Sequence, residues 1–209
     1  YVDKYSLVII SSYSGNTEET ISALELAITK GAKIVCITSG GKIREIAQEH
    51  NQDFIELPTG WPSPRACLGY SMVQQLFVLF KLGLIAKTSI DSMKTASDLL
   101  NFEQDDIKIK AEKIASLLPN RIPVIYTADR MESVAVRWRQ QLNENSKVLG
   151  WHHVIPEMNH NELVGWKHKQ AHVTVIFLRY KDDPKRTQIR MDLTKQIITP
   201  LAQNVIEIY

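Results

Sequence analysis

The sequence predicts an α/β protein with two doubly wound parallel-sheet domains in tandem. Short apolar runs rich in valine and isoleucine alternate with stretches of helical period in both halves of the chain. Repeated strand–helix units of this length favour parallel sheets with right-handed crossovers. Between the halves, Ser, Thr, Asp and Lys replace aliphatic residues. We therefore expect a first domain at residues 1–90, a linker or connecting helix at 91–106, and a second domain at 107–209.

The first half contains three predicted strands and three predicted helices. The strands cover residues 5–10, 33–38 and 53–57, and the helices cover residues 18–29, 42–50 and 65–84. The segment before the last helix is rich in proline. It is predicted to be a loop, because residues before proline are pushed away from helical geometry. The first strand begins close to Tyr1 and is apolar throughout, so it needs neighbours on both sides. We therefore expect the first domain to be incomplete at its N-terminus.

The second half repeats this alternation. Its predicted helices cover residues 107–118, 132–145 and 185–198, and its predicted strands cover 122–126, 172–178 and 204–208, with a short extended piece near 148–154. Open parallel sheets bind ligands beyond the carboxyl ends of their strands. A ligand site at such a strand end is therefore the natural expectation.

Composition narrows the possible partners and the compartment. The chain has 209 residues, of which 44% are hydrophobic and 23% charged, and its net charge of +2 includes no basic run. We therefore expect neither nucleic acid nor an anionic membrane as a partner. The longest apolar stretch, residues 72–85, is interrupted by polar residues and is too short to span a bilayer. Cys36 and Cys67 lie in apolar contexts without metal-ligand spacing, which indicates buried free thiols and a cytoplasmic location.

A turn rich in hydroxyl groups lies between the first strand and the first helix. Ser12, Ser14 and Thr17 supply hydroxyl donors, and Gly15 lets the backbone come close to a ligand. The N–H groups of a helix N-terminus have no internal partner and favour an anion, so a phosphate would fit here. The alternative is that these hydroxyls only cap the helix, with a following glutamate completing a capping box.

Three further residues are candidates for chemistry. Glu144 lies between two asparagines where a helix would end. The helix dipole disfavours a negative charge at that end, so it would raise the pKa of this carboxylate, and a carboxylate with a raised pKa suits a general base. The alternative for it is a solvated glutamate. His160, also between asparagines, has the usual roles of proton shuttle or metal ligand. Tight zinc spacing is missing around it, and an ordinary loop histidine is its alternative.

Arg65 is the third candidate. It follows a rigid Pro-Ser-Pro turn at the start of a helix, where the dipole disfavours a cation. A guanidinium directed into a cleft could stabilise a developing oxyanion. The alternative is a surface arginine whose stem packs on Trp61.

Five blocks of the sequence, taken together, resemble the bifunctional phosphoglucose/phosphomannose isomerases of the sugar isomerase (SIS) superfamily. The blocks are S-S-Y-S-G-N-T-E-E-T at 11–20, T-S-G-G-K at 38–42, P-R-A-C-L-G-Y at 64–70, N-E-N-S-K at 143–147 and P-E-M-N-H-N-E-L-V-G-W at 156–166. They occur in the expected order across nearly the whole chain. The first block alone is typical only of a sugar-phosphate-binding SIS domain, and the last two are far more specific.

The resemblance implies two SIS-type domains and an aldose–ketose isomerase. Its reaction interconverts glucose 6-phosphate, and mannose 6-phosphate, with fructose 6-phosphate. The three hydroxyls of the first block would hold the substrate phosphate, and Glu144 would move a proton between C2 and C1 through a cis-enediolate. Arg65 would stabilise that intermediate. His160 would assist ring opening from the partner subunit of a homodimer. No metal or other cofactor is needed.

Two alternatives and one departure accompany this resemblance. A non-enzymatic SIS module would need the phosphate turn but neither Glu144 nor His160. A different SIS isomerase could act on a pentose or heptose phosphate. The family also has a glycine- and serine-containing segment before the position of Tyr1 and a terminal helix with a lysine and a threonine, and we expect this chain to lack both.

Overall fold

The computed structural model describes residues 1–209, which divide into two compact units, Tyr1–Phe102 and Glu103–Tyr209. Each unit contains a parallel sheet flanked by helices, which confirms the predicted α/β class. The segment that was expected to be a linker or connecting helix is helical on both sides of the division. None of the helices is long and apolar enough to cross a membrane.

The first unit contains three strands and four helices. In chain order these are β1 (Leu7–Ser11), α1 (Glu18–Thr29), β2 (Lys33–Thr38), α2 (Gly41–Glu49), β3 (Asp53–Glu56), α3 (Leu68–Lys81) and α4 (Lys87–Phe102), with a 3₁₀ turn at Pro64–Cys67 before α3. The strands are parallel in the order β1-β2-β3, so β2 is central. This order advances in one direction across the sheet.

Helices cover both faces of this three-stranded sheet. Cys36 on β2 faces α1 and α2, where Leu24 and Ile43 are buried with it. The next residue, Ile37, points to the opposite face and packs with Val78 of α3. Alternation of this kind follows from the pleat of a strand, and it explains why β2 is apolar throughout.

The second unit contains four strands and four helices. In chain order these are α5 (Gln104–Ser116), β4 (Ile122–Ala128), α6 (Glu132–Gln141), β5 (Trp151–Ile155), α7 (Glu157–Asn161), β6 (Gln170–Leu178), α8 (Lys185–Ile198) and β7 (Ala202–Ile208). All strands are parallel in the order β5-β4-β6-β7. The chain therefore moves one way from β4 to β5 and the other way from β6 to β7, which is the reversal of a doubly wound sheet.

The two faces of this sheet have different cores. On one face Ile125 and Ile176 pack against Trp138 of α6. On the other face, Tyr126 lies in a cluster that includes Met158 of α7 as well as residues of α8. Helices α6 and α7 therefore cover opposite faces of the sheet.

The observed elements differ from the predicted ones mainly near the candidate residues. The predicted helix 65–84 begins as the 3₁₀ turn at Pro64–Cys67. The predicted helix 132–145 is α-helical only to Gln141, and Leu142–Ser146 form a π turn. His160, which lies outside every predicted helix, is in the short helix α7. Each difference arises where backbone groups bond in a pattern that hydrophobic periodicity does not report.

Candidate functional site

The turn that follows β1 brings the predicted phosphate-binding hydroxyls together. Ser12 is largely buried, and its Oγ lies 2.9 Å from Oγ1 of Thr17. Thr17 precedes α1, yet its side chain makes no capping hydrogen bond to that helix. The side-chain oxygen of Asn16 accepts a hydrogen bond from the backbone N–H of Lys42 at 3.0 Å. Thr17 therefore does not cap α1, and Asn16 instead satisfies an N–H group in the first turn of α2.

Ser14 is the exposed member of this group of hydroxyls. Its Oγ accepts from the backbone N–H of Asn16 at 3.3 Å, so it lies in the same turn as the other two. The first-turn N–H groups of α1 have no partner within the helix and none from the cap residue. Hydroxyl donors beside open helix N–H groups form a suitable environment for a phosphate.

Gly15 lets two loops meet backbone to backbone. Its φ is +69°, and an added Cβ would lie 2.8 Å from the carbonyl carbon of Gly40 and closer still to its oxygen. The backbone N–H of Ile43 donates to the carbonyl of Gly15 at 2.9 Å. The loop after β2 thus supports the turn after β1, which explains why glycines are needed in both blocks of sequence.

Tyr13 connects the same turn to the loop after β3. Its hydroxyl donates to the carbonyl of Pro58 at 2.8 Å, and its own carbonyl accepts from Oγ of Ser39 at 2.5 Å. Desolvation and then the thiol of Cys67 raise the pKa of Tyr13. Three loops therefore meet at the carboxyl edge of the first sheet.

Arg65 lies in the 3₁₀ turn that follows the third of these loops. It is half-buried, and the turn is closed by the N–H of Ala66, which donates to the carbonyl of Ser63 at 3.1 Å. The first unit thus carries Arg65 on the loop side of the sheet that also carries the hydroxyls. A cavity of about 860 Å³ lies beside it between α3 and α4, but its lining is largely apolar and does not suit a phosphate.

Glu144 lies in the π turn at the end of α6, and its side chain is exposed. Lys147 ends the turn in the left-handed conformation with φ +56°. Its ammonium group donates to the carbonyl of Glu144 at 2.5 Å. Glu144 is therefore on a helix end, as predicted, but on one whose backbone departs from α-helical geometry.

His160 lies in α7, and its imidazole is exposed without a hydrogen-bond partner in the second unit. The helix itself is well anchored, because the side-chain N–H of Asn159 donates to Oγ1 of Thr194 at 2.7 Å. No group of three or more His, Cys, Asp and Glu residues is placed to share a metal ion.

Glu144 and His160 lie in different segments of the second unit. Glu144 lies in the turn that follows α6, which covers one face of the sheet, whereas His160 lies on α7, which covers the other face. The four-stranded sheet separates the two helices.

A partly buried polar network around Glu162 was not predicted from the sequence. The hydroxyl of Tyr126 and Nε1 of Trp151, the latter at 3.1 Å, both donate to Oε1 of Glu162. Nε1 of Trp166 donates in turn to the Tyr126 hydroxyl at 3.1 Å. Burial and then the carboxylate raise the pKa of Tyr126. A tyrosine in an apolar strand gives no sign of this role, which is to hold the segment after His160 against the sheet.

Solved structures of sugar-phosphate enzymes share this fold. Glucosamine-6-phosphate deaminase from Thermotoga maritima is similar with a TM-score of 0.73 at 15% identity, covering 100% of this chain and 62% of that one. Tagatose-6-phosphate ketose/aldose isomerase from Escherichia coli is similar with a TM-score of 0.68 at 17% identity, covering 99% and 58%. At these identities the likeness concerns the fold alone.

Family models and sequence relatives are more specific. Residues 107–209 match the bacterial phospho-glucose isomerase C-terminal SIS domain, and residues 1–78 match the SIS domain. A D-glucosamine-6-phosphate 4-epimerase from Sulfolobus acidocaldarius is 33% identical over 174 residues, covering 81% of this chain and 54% of that protein.

Two relatives match nearly the whole chain. A bifunctional phosphoglucose/phosphomannose isomerase from Caldicellulosiruptor bescii is 42% identical, covering 100% of this chain and 64% of that protein. One of the same name from Aquifex aeolicus is 38% identical, covering 95% and 60%. The chain thus spans less than two thirds of the length of either relative. By its two SIS-type segments the chain belongs to the SIS-domain proteins, and across nearly its whole length it is similar to bifunctional phosphoglucose/phosphomannose isomerases.

Proposed function

We propose that the protein is an aldose–ketose isomerase that interconverts glucose 6-phosphate and mannose 6-phosphate with fructose 6-phosphate. The observation that carries the proposal is the hydroxyl turn after β1. Its Ser12 and Thr17 side chains bond to each other and cap no helix, and the turn lies at the carboxyl edge of a parallel sheet. That edge is where open α/β sheets bind ligands.

In this proposal Ser12, Ser14 and Thr17 bind the substrate phosphate together with the N-terminal N–H groups of α1. The phosphate is remote from the reacting carbons, so its binding energy fixes C1 and C2 in place. The substrate is therefore a small phosphorylated sugar, and neither a nucleic acid nor a membrane is a partner.

Glu144 is the proposed base. It removes the proton from C2 of the open-chain aldose and returns it to C1, through a cis-enediolate intermediate. Arg65 stabilises the negative charge that develops on the sugar oxygens. The reaction relocates protons without net oxidation, so it requires no redox cofactor.

His160 is the proposed group for ring opening, and it acts in the partner subunit of a homodimer. Two observations support this arrangement. The imidazole is exposed, and α7 covers the sheet face opposite to the one that α6 and Glu144 use. Isologous dimers exchange such residues reciprocally between two equivalent sites. We also propose a cytoplasmic location, because Cys36 and Cys67 are both free thiols.

Coupled assays on the full-length protein test the reaction. We expect turnover of glucose 6-phosphate and mannose 6-phosphate to fructose 6-phosphate, and we expect Glu144→Gln to reduce kcat by about 100-fold or more, as for loss of a general base. Turnover of neither sugar, or a Glu144→Gln protein with wild-type kcat, would refute the proposal.

Subunit mixing tests the role of His160. A Glu144→Gln chain and a His160→Ala chain, each inactive alone, are co-expressed. A mixed dimer has one site with both residues intact if His160 crosses between subunits, so about a quarter of wild-type activity should return after random pairing. No recovery, or a protein that remains monomeric in solution, would contradict the arrangement.

Epimerisation of a sugar phosphate is a second candidate, because a relative named D-glucosamine-6-phosphate 4-epimerase covers much of the chain. A third reading is a SIS module that binds a sugar phosphate without turnover. Incubation with glucosamine 6-phosphate and with fructose 6-phosphate, followed by NMR of the products, separates the three. A changed configuration at C4 supports epimerisation, and binding without any product supports the module.

A further inference from the structure

The turn that carries Glu144 has an uncommon backbone. Helix α6 ends at Gln141, and Leu142–Ser146 continue it as a π turn. Lys147 then adopts φ +56°, a left-handed conformation that favours glycine. Such π turns are rare in helices and occur frequently at functional sites. The sequence around Glu144 therefore does not simply follow its helical tendency.

One side chain closes this turn from both ends. Nδ2 of Asn143 donates to the carbonyl of Val148 at 2.6 Å, on the far side of Lys147. The backbone N–H of Val148 donates back to the carbonyl of Leu142 at 3.3 Å. Asn143 is half-buried, so its bond is shielded from competing water. Glu144 lies between the two ends that this bond joins.

We propose that Asn143 is a positioning residue that fixes the direction of the Glu144 carboxylate by holding the π turn. This inference rests on the function proposed above, in which Glu144 is the base. Without the Asn143 bond, the turn can relax towards α-helical geometry, which holds fewer residues per turn. The Glu144 side chain would then leave the helix in a different direction. A displacement of about 1 Å can lower a rate by about 100-fold.

The substrate phosphate is assigned to the turn after β1, far from Asn143 in the sequence. Loss of the Asn143 bond should therefore affect the chemical step more than binding. This separates a positioning role from a general loss of structure, which would lower the amount of active enzyme and the melting temperature together.

The test uses Asn143→Ala in the full-length protein, with kcat and KM measured for fructose 6-phosphate. We expect kcat to fall about 10- to 100-fold with KM within about twofold of the wild type. Ser146→Ala is the matched control, because Ser146 lies in the same turn, is exposed and makes no side-chain hydrogen bond. It should keep the wild-type kcat. Asn143→Gln retains an N–H donor and should recover part of the lost rate.

Wild-type kcat in Asn143→Ala overturns the inference while leaving the proposed function intact. An equal loss in Asn143→Gln and Asn143→Ala, accompanied by a lower melting temperature in both, also overturns it in favour of a structural role. A wild-type protein that isomerises neither sugar refutes the proposed function and, with it, any positioning of a base.

Discussion

Replacing Gly15 with alanine should damage both the fold of the first unit and its phosphate site. The φ of Gly15 is +69°, and an alanine in this region costs about 1–2 kcal/mol. Its Cβ would also lie 2.8 Å from the carbonyl carbon of Gly40 and 2.8 Å from Oγ1 of Thr38. Those contacts are too short to persist, and the first is to backbone, so the two loops must separate.

The cost of separating the loops can be assessed from the bonds between them. The N–H of Ile43 donates to the carbonyl of Gly15 at 2.9 Å, and the N–H of Lys42 donates to Asn16 at 3.0 Å. Losing two such bonds costs about 1–3 kcal/mol. Together with the backbone strain, Gly15→Ala should lower the free energy of unfolding by about 2–5 kcal/mol.

Gly83→Ala is the matched control for this experiment. Gly83 has φ +70°, nearly the same as Gly15, but an added Cβ there meets no atom within 4 Å. It should therefore cost only the backbone term of about 1–2 kcal/mol. Urea unfolding followed by circular dichroism measures both variants, and fructose 6-phosphate should raise the unfolding midpoint of Gly83→Ala but not of Gly15→Ala. Equal losses in the two variants would show that the close approach of the loops is unimportant.

Three further predictions concern single side chains. Ser14→Ala should weaken binding of fructose 6-phosphate about tenfold, which corresponds to losing a hydrogen bond of about 1.5 kcal/mol to a charged group. Stability should change little, because Ser14 is exposed. Calorimetric titration measures the affinity, and an unchanged affinity would exclude Ser14 from the site. Tyr126→Phe should lower the free energy of unfolding by about 2–4 kcal/mol, because the buried Trp166 N–H and the Glu162 carboxylate each lose a hydrogen-bond partner. Urea unfolding measures this loss, and a value below about 0.5 kcal/mol would show that these hydrogen bonds do not stabilise the fold. Burial raises the pKa of Cys36 from 9.0 to about 11, so its contribution to stability is complete below pH 9 and is lost as the pH rises towards 11. Between pH 9 and 11 the free energy of unfolding should therefore fall by about 2 kcal/mol more in the wild type than in Cys36→Ala. Identical pH profiles of the two proteins would rule out this contribution of Cys36.

Much of the fold could be predicted from local patterns. The bounds of α1 and β2 agree with the predicted ones, because hydrophobic period and turn residues act over a few neighbouring positions. The predicted helix through Glu144 ends earlier, at Gln141. Leu142–Ser146 form a π turn instead, and Asn143 bonds across it to the carbonyl of Val148. A pattern of apolar spacing does not contain that bond.

The sequence by itself determined the alternation of strands and helices, the family resemblance, and the set of residues proposed for chemistry. Only the tertiary structure decided how some of them are used. Ser12 and Thr17 bond to each other, and Thr17 does not cap α1. Helix α7, which carries His160, packs on the face of the sheet opposite to α6, which precedes Glu144. Side-chain types and local propensities can be read directly from the sequence. Which hydroxyl finds which partner, and which face a helix covers, depend on contacts between distant residues that exist only once the sheet has formed.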